Sequence, residues 1–209
     1  MIAPARRVGL FGGAFDPPHG AHVALARAAV EQLQLDRLHI APTGQAWHKA
    51  QVLSPAADRL AMCRLAFESL PKALIDDREL RRSGPTYTID TLTELRAEYP
   101  QAELFLQIGA DQAAALHTWR RIGEIIEIAT LSIAVRADVT GVEGYFDIKN
   151  PVPGVAVDPA RVRVLRLPAL PHSATAIRRL AAAGQRIEPL VCAPVAGYIA
   201  EHHLYQPPA

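Results

Sequence analysis

Two histidines, His19 and His22, form the residue pair in this sequence best suited to chemistry on phosphate groups. They follow Gly12-Gly13, and glycines let a backbone come close to a phosphate. The helix expected after this turn would aim its free N–H groups and the positive end of its dipole at the same place. A spacing of three residues puts both imidazoles on one side of the first helical turn, where they can hydrogen-bond phosphoryl oxygens. The stretch over 12–22 therefore predicts a phosphate-binding turn.

A zinc site is an alternative explanation for a histidine pair with this spacing. Zinc needs a third protein ligand, and a catalytic zinc usually has a carboxylate base nearby. The sequence offers no evident set of that kind, so we predict no metal held by protein ligands. Two purely structural histidines are the other alternative, and the strand, glycines and helix that fall in register around the pair disfavour it.

A second candidate anion site lies far along the chain, over 172–179. Ser173 and Thr175 can cap the helix that follows them. Arg178 comes one turn after Thr175, so its guanidinium can reach over the same helix end. Taken alone, this pattern also fits an ordinary capped helix with a solvated pair, Arg178 and Arg179.

The two stretches, in this order, resemble the two motifs of the nucleotidyltransferase superfamily that shares the histidine-x-glycine-histidine motif. This chain departs from the first motif twice, with Ala21 in place of its glycine and Ala14 where a threonine or serine is usual. The resemblance implies that the two histidines hold phosphate oxygens of ATP and that the second motif holds its β- and γ-phosphates. The catalytic residues it implies are His19, His22 and Arg178.

Three further stretches resemble one family within that superfamily, the bacterial nicotinate-mononucleotide adenylyltransferases. They cover residues 40–49, 84–92 and 108–119, and the first has Ala46-Trp47 where the family often has a proline pair. The resemblance extends over nearly the whole chain except residues 137–160. The acceptor-binding residues it implies are Thr43, His48, Lys49, Thr86, Tyr87, Thr88 and Trp119. The ATP-binding residues it implies are Gly12, Gly13, Phe15, His19, His22, Gly109, Asp111, Arg136, Ser173, Thr175 and Arg178.

The reaction implied by this resemblance joins AMP from ATP to nicotinate mononucleotide, a step of NAD biosynthesis. The products are nicotinate adenine dinucleotide (deamido-NAD) and pyrophosphate. Because the acceptor phosphate is already an anion at neutral pH, catalysis can rest on positioning and charge stabilisation without a general base. Mg²⁺ would travel with ATP, bridging the triphosphate through oxygens and water without a dedicated protein cage.

Three alternatives for the function stay open at this point. A sibling adenylyltransferase would use another acceptor, such as nicotinamide mononucleotide or phosphopantetheine, and the pyridine-pocket stretch over 84–92 argues against the latter. A nicotinamide-cofactor oxidoreductase would be expected to have a G-x-G-x-x-G turn after the first strand and an acidic residue about 20 residues later. The turn after the first strand here, Gly12-Gly13-Ala14-Phe15-Asp16, does not have this pattern. A non-catalytic nucleotide-binding protein would be favoured by loss of both histidines, and both are present.

Short apolar runs alternate with helical patterns along the chain, which predicts the elements that position these residues. The predicted strands are Arg7–Phe11, Leu38–Ala41, Leu74–Asp76, Leu104–Ile108, Leu131–Val135 and Val162–Leu167. The first predicted helix carries an apolar stripe from Ala26 to Leu33, and the second begins at Ser54-Pro55. The next two cover Ile89 to Tyr99 and Trp119–Ala129, and the last two begin at about Ala174 and at about Pro194.

This alternation predicts a doubly wound, Rossmann-like α/β fold, with a parallel sheet covered by helices on both faces. Ligands in such sheets sit at the carboxyl ends of strands, which is where each motif begins. We expect a single domain over 1–209, with a surface insertion at about 137–160 and a helical portion over 173–209.

The composition is that of an ordinary globular protein of 209 residues with a formal net charge of +1. Nucleic-acid binders usually carry a basic excess, so we expect no nucleic-acid partner. Two distant cysteines match no metal spacing and predict reduced thiols. Because the chain shows neither a signal peptide nor the roughly 18 apolar residues of a membrane span, we expect a cytoplasmic protein with no membrane partner. A homo-oligomer is left open.

Overall fold

The computed structural model describes residues 5–46, 53–136, 152, 154–168, 170 and 173–206. Within those ranges, the side chains of Asp111 and Arg136 are not described, although their backbones are. Two predicted acceptor-binding residues, His48 and Lys49, lie outside the described residues, as does most of the predicted insertion.

Six parallel strands form one sheet in the order β4-β2-β1-β6-β7-β8, and two short strands form a separate parallel pair. The prediction of a Rossmann-like parallel sheet is confirmed. The strands are β1 (Arg7–Gly13), β2 (Arg37–Pro42), β3 (Gln45–Ala46), β4 (Ala73–Ile75), β5 (Pro85–Thr86), β6 (Glu103–Gly109), β7 (Ala129–Arg136) and β8 (Val162–Leu167).

Helices cover both faces of this sheet, because alternate strand residues point to opposite faces and both sets are apolar. On one face, Phe11 and Phe105 pack with α1, α2, α7 and α8, and on the other Leu10 and Leu106 pack with α4, α5 and α6. The helices are α1 (Gly20–Gln32), α2 (Ala56–Phe67), α3 (Arg78–Arg81), α4 (Thr88–Glu98), α5 (Ala110–Ala114), α6 (Ile122–Ile128), α7 (Ala174–Ala182) and α8 (Ala193–Glu201).

The direction of winding reverses between β1 and β6, which are neighbours in the sheet. From β1 the chain moves outward to β2 and β4, then returns to β6 and moves outward to β7 and β8 on the other side. A crevice opens at such a reversal, outside the carboxyl ends of the strands, and is the usual ligand site of this architecture. Gly13 and Gly109 end the two strands that flank it.

Two predicted helix starts are wrong. The helix predicted over Trp119–Ala129 begins only at Ile122, because Arg121 takes a left-handed conformation (φ 55°) and leaves Trp119 in the turn after a 3-10 segment. Pro55 is the residue that flanks α2, not its first helical residue, since its ψ of 142° is extended. Ser54 makes no side-chain cap there; its backbone N–H donates to Asp16 instead.

Among the helices that the structure describes, none combines the length and apolar character that crossing a membrane requires.

Candidate active site

The turn that follows β1 is shaped by an aromatic ring beneath it. Phe15 is buried, with its backbone in the left-handed region (φ 48°), and its ring meets those of Phe11 and Phe67 edge to face at 5.3 and 5.8 Å. A Cβ added at Gly13 would lie 3.0 Å from the Phe15 ring. Gly13 therefore lets the backbone sit directly against this ring. The left-handed conformation of Phe15 itself costs of order 1–3 kcal/mol.

A buried aspartate and a buried arginine hold this turn from below. The Asp16 side chain accepts hydrogen bonds from the Ser54 backbone N–H at 3.0 Å and from the Tyr205 hydroxyl at 2.7 Å. Arg59 donates to the carbonyls of Ala14, Thr43 and Ser54 at 2.8–3.0 Å. Burial lowers the pKa of Arg59, while the neighbouring Asp16 charge opposes that shift. These bonds join the loops after β1 and β2 to α2.

The two histidines stack on each other at the start of α1. Their ring centroids are 3.8 Å apart with an interplanar angle of 22°, and His19 is the residue that flanks the helix. The His19 backbone N–H donates to Nδ1 of His22 at 3.2 Å. An accepting Nδ1 carries no proton, so this bond assigns the His22 proton to Nε2 and makes the ring a neutral donor. The predicted alignment of both imidazoles on one side of the first turn is confirmed.

The second motif lies directly over this turn. Ser173 caps α7, its hydroxyl accepting from the Ala176 N–H at 3.2 Å. The Arg178 guanidinium donates to the main-chain carbonyl of Asp16 at 2.7 Å, across 162 residues of sequence, and to the Thr175 hydroxyl at 3.2 Å. Arg179 points outward and is exposed. The structure therefore brings the two predicted anion-binding motifs into one place.

The loops that carry Thr43 and Thr86 are locked together next to this turn. The Thr43 N–H donates to the Gly13 carbonyl at 2.8 Å, and β3 pairs with β5 in register Ala46 to Thr86. Gly44 sits so close to α3 that an added Cβ would lie 2.3 Å from the Glu79 carbonyl oxygen. Only a residue without a side chain fits that contact.

Glu79 is itself buried and helps to hold these loops. Its carboxylate accepts from the Thr91 hydroxyl at 2.8 Å, and Arg82 donates to the same hydroxyl. Burial raises the pKa of Glu79, and the Thr91 hydrogen bond and the Arg82 charge offset part of that shift.

The start of α4 faces the turn that carries Trp119. Tyr87 flanks α4, Thr88 is its first residue, and Tyr87 and Trp119 are both partly buried against the same core. The guanidinium of Arg120, the residue after Trp119, lies 4.6 Å above the centre of the Tyr87 ring. The residue after Trp119 thus contacts Tyr87, one of the predicted acceptor-binding residues.

A network at the sheet edge fixes α3, the helix that carries Glu79. Asp76 follows β4 and bonds to His39 Nδ1 and to the Arg78 side chain, each at 2.7 Å. Burial alone would raise the pKa of Asp76, but the hydrogen bonds from His39 and Arg78 and the Arg78 charge lower it to about 2.

The remaining predicted ATP residues lie at strand ends beside the crevice. Gly109 ends β6 and flanks α5, which contains Asp111, and Arg136 ends β7. Within the described residues, no three His, Cys, Asp or Glu side chains are grouped so as to hold a metal ion.

Comparison with known proteins agrees with this geometry. The cytidylyltransferase-like family model matches residues 10–180. A protein of Albidiferax ferrireducens named "Probable nicotinate-nucleotide adenylyltransferase" is 51% identical, with 96% of this chain and 98% of the relative covered. A protein of the same name from Methylibium petroleiphilum is 41% identical over 99% of this chain and 95% of its own length.

This chain belongs to the nicotinate-nucleotide adenylyltransferase family. It is therefore a nucleotidyltransferase, as the two motifs predicted. The fold match is equally extensive: the Plasmodium falciparum nicotinic acid mononucleotide adenylyltransferase, solved with NaAD, aligns with a TM-score of 0.78. That alignment covers 96% of this chain and 97% of that one, at 17% identity.

Four residues that organise this adenylyltransferase site were missed at the sequence level: Arg59, Glu79, Asp16 and Tyr205. Arg59 did leave a signal, because it lies one turn before Cys63 on the apolar face of its helix, and a charge on a buried face needs partners. The partners of Asp16 and Glu79 lie on other elements and leave no comparable local signal.

Proposed function

We propose that this chain transfers AMP from ATP to nicotinate mononucleotide, releasing pyrophosphate and forming nicotinate adenine dinucleotide. The observation that carries the proposal is the 2.7 Å contact between Arg178 and the Asp16 carbonyl. This contact holds Arg178 of the second motif against Asp16, which lies three positions before His19 of the first motif. One triphosphate can therefore contact both motifs.

In this proposal, a phosphate oxygen of nicotinate mononucleotide attacks the α-phosphorus of ATP. The new P–O bond forms as the bond between the α-phosphorus and the bridging oxygen breaks, and that oxygen leaves with pyrophosphate. No proton has to be removed from the attacking phosphate. The Nε2–H of His22 and the ring of His19 donate to the phosphoryl oxygens that gain charge in the transition state.

The leaving group is held by the second motif. Ser173, Thr175 and Arg178 bind the β- and γ-phosphates. Arg178 keeps its hydrogen bond to the Asp16 carbonyl and donates its other N–H groups to triphosphate oxygens. Mg²⁺ carried with ATP would neutralise part of the triphosphate charge. The rest of the nucleotide lies in the crevice at the ends of β1, β6 and β7, against Gly12, Gly13, the Phe15 backbone, Gly109, Asp111 and Arg136.

The acceptor lies beside the loops that Gly44 and Glu79 lock together. Thr43 follows β2, Thr86 ends β5, and Tyr87 and Thr88 lie at the start of α4. Trp119 supplies a stacking surface, and His48 and Lys49, outside the described residues, complete the proposed set. Backbone N–H groups near Tyr87 are aimed at the ring substituent. Such donors favour the carboxylate of nicotinate over the amide of nicotinamide, because hydrogen bonds to a charged group are worth roughly 1.5–3 kcal/mol each.

The test of this function is pyrophosphate release with ATP and a panel of acceptors. We expect nicotinate mononucleotide to exceed nicotinamide mononucleotide in kcat/KM by about 10- to 10³-fold, and phosphopantetheine to be inert. Trp119→Ala should weaken both pyridine substrates while the preference between them persists. Equal efficiency with the two pyridine nucleotides in the wild type would refute selectivity and indicate a dual-specificity enzyme.

The histidine assignment has its own test. His19→Ala and His22→Ala should each lower kcat by about 10²–10³-fold, the usual cost of one preorganised donor, with much smaller effects on unfolding. His202→Ala, at an exposed position after α8, is the control and should leave kcat within a factor of two. Near-normal turnover in both variants of the pair would contradict the assignment.

A further inference from the structure

One side chain from the segment after α8 reaches into the phosphate-binding turn. The hydroxyl of Tyr205 donates to Oδ1 of Asp16 at 2.7 Å, across 189 residues of sequence. Asp16 is 3% exposed, so this bond satisfies a carboxylate that has almost no access to water.

Asp16 is the point where three separate parts of the chain meet. Its second carboxylate oxygen accepts from the Ser54 N–H at 3.0 Å, and its main-chain carbonyl accepts from Arg178 at 2.7 Å. The bond to Tyr205 therefore fixes a residue on which the loop before α2 and the arginine of the second motif both depend.

The link from Asp16 to the histidines is short and stiff. Only Pro17 and Pro18 separate Asp16 from His19, and each proline ring fixes φ near −65°. A rotation of Asp16 is therefore transmitted to His19 with few torsions available to absorb it.

The Tyr205 hydroxyl is built to remain a donor. Burial raises its pKa, and the charge of the adjacent Asp16 raises it further. The hydroxyl thus stays protonated at neutral pH and keeps its proton to donate to the carboxylate.

We propose that Tyr205 is a positioning residue for nucleotidyl transfer, holding Asp16 so that its carbonyl orients Arg178 and its chain orients His19. This inference rests on the proposed function for its reaction. Through Tyr205, the segment after α8 helps to determine how firmly the triphosphate is held, although Tyr205 itself touches no substrate.

The structure provides a matched control for removing this hydroxyl. Tyr198, on α8, is half-buried like Tyr205 and donates to an aspartate oxygen, Oδ1 of Asp58, at 2.9 Å. Asp58 is a residue of α2 that we place outside the catalytic and binding machinery. Tyr198→Phe and Tyr205→Phe therefore remove similar hydrogen bonds from the same part of the chain, and only the second reaches the site.

The experiment measures kcat, the KM of each substrate and thermal stability for both variants. We expect Tyr205→Phe to lower Tm more than Tyr198→Phe, because it takes a donor from the buried Asp16 carboxylate. At a temperature where both variants are folded, we expect a fall in kcat of roughly 10-fold or more only in Tyr205→Phe, with the KM of the acceptor unchanged. The decisive readout is a double-mutant cycle with Arg178→Ala. If Tyr205 acts through Arg178, Tyr205→Phe should cost much less in that background than in the wild type.

Equal kcat values in the two tyrosine variants, or strictly additive effects with Arg178→Ala, would overturn the proposal. A wild-type protein that releases no pyrophosphate with any acceptor would instead count against the proposed function. In that event, calorimetric titration of ATP still tests Tyr205, because weaker binding in Tyr205→Phe than in Tyr198→Phe needs no acceptor. Equal ATP affinities in that titration would overturn it.

Discussion

Replacing Gly44 by alanine should damage acceptor use while leaving ATP use largely intact. The new Cβ would lie 2.3 Å from the Glu79 carbonyl oxygen and 2.9 Å from Cγ2 of Thr86. Non-bonded contacts of this kind are comfortable only at about 3.5 Å, so the loops must separate by about 1 Å. The atom that has to yield is backbone of α3, which the Asp76 network holds, and the movement therefore falls on the loops that carry Thr43 and Thr86.

The magnitude follows from that displacement. A misplacement of about 1 Å in a positioned substrate can cost about 10²-fold in rate, so we expect kcat/KM for the acceptor to fall about 10- to 100-fold. Overpacking should lower the free energy of unfolding by about 1–3 kcal/mol. The KM of ATP should change less than about twofold, because the motifs proposed to bind the triphosphate lie on β1, α1 and α7.

The assay is a set of initial rates with each substrate varied in turn, together with urea unfolding. Gly197→Ala is the control, since a Cβ there meets nothing within 4 Å. This change, in the interior of α8, should stabilise the protein by about 0.5–1 kcal/mol and leave kinetics unchanged. An unaltered acceptor kcat/KM in Gly44→Ala would refute the argument that this contact sets the acceptor loops.

Two further predictions each compare two neighbouring residues, Arg178 with Arg179 and Asp76 with Asp77. Arg178→Ala should lower turnover with ATP by about 10²-fold and spare acceptor binding, while the exposed Arg179→Ala should change little; equal, small effects in steady-state rates would mean that both arginines are merely solvated. Because the pKa of Asp76 is lowered from 3.8 to about 2, its ionised form stabilises the fold above about pH 4, and this contribution is lost as the pH falls to about 2. Asp76→Asn should therefore lower the free energy of unfolding in urea by about 2 kcal/mol at pH 7 and by much less near pH 2. Asp77→Asn, at a surface ion pair, is the control and should lower it by less than about 1 kcal/mol. An effect of Asp76→Asn that does not depend on pH would contradict the linkage.

The local chemistry of this protein could be predicted from short stretches of sequence. The glycine turn, the spacing of His19 and His22, and the Ser173 cap depend on residues within one or two helical turns of each other, so their geometry follows from backbone rules alone. Apolar runs bounded by glycine and proline likewise predicted all six strands of the main sheet to within about two residues. The helix start near Trp119 was wrong because the left-handed Arg121 leaves no mark in an apolar pattern.

What only the tertiary structure decided is how distant groups meet. The strand order brings α7 over the turn after β1, and this alone lets Arg178 reach the Asp16 carbonyl from 162 residues away. The contacts of Tyr205 with Asp16 and of Gly44 with Glu79 likewise join different elements. Periodicity and capping rules describe neighbours along the chain, while a hydrogen bond or a close contact between elements depends on how the sheet and its helices pack. The sequence by itself therefore indicated the groups that we propose to bind phosphate, and the packing identified the groups that hold them in place.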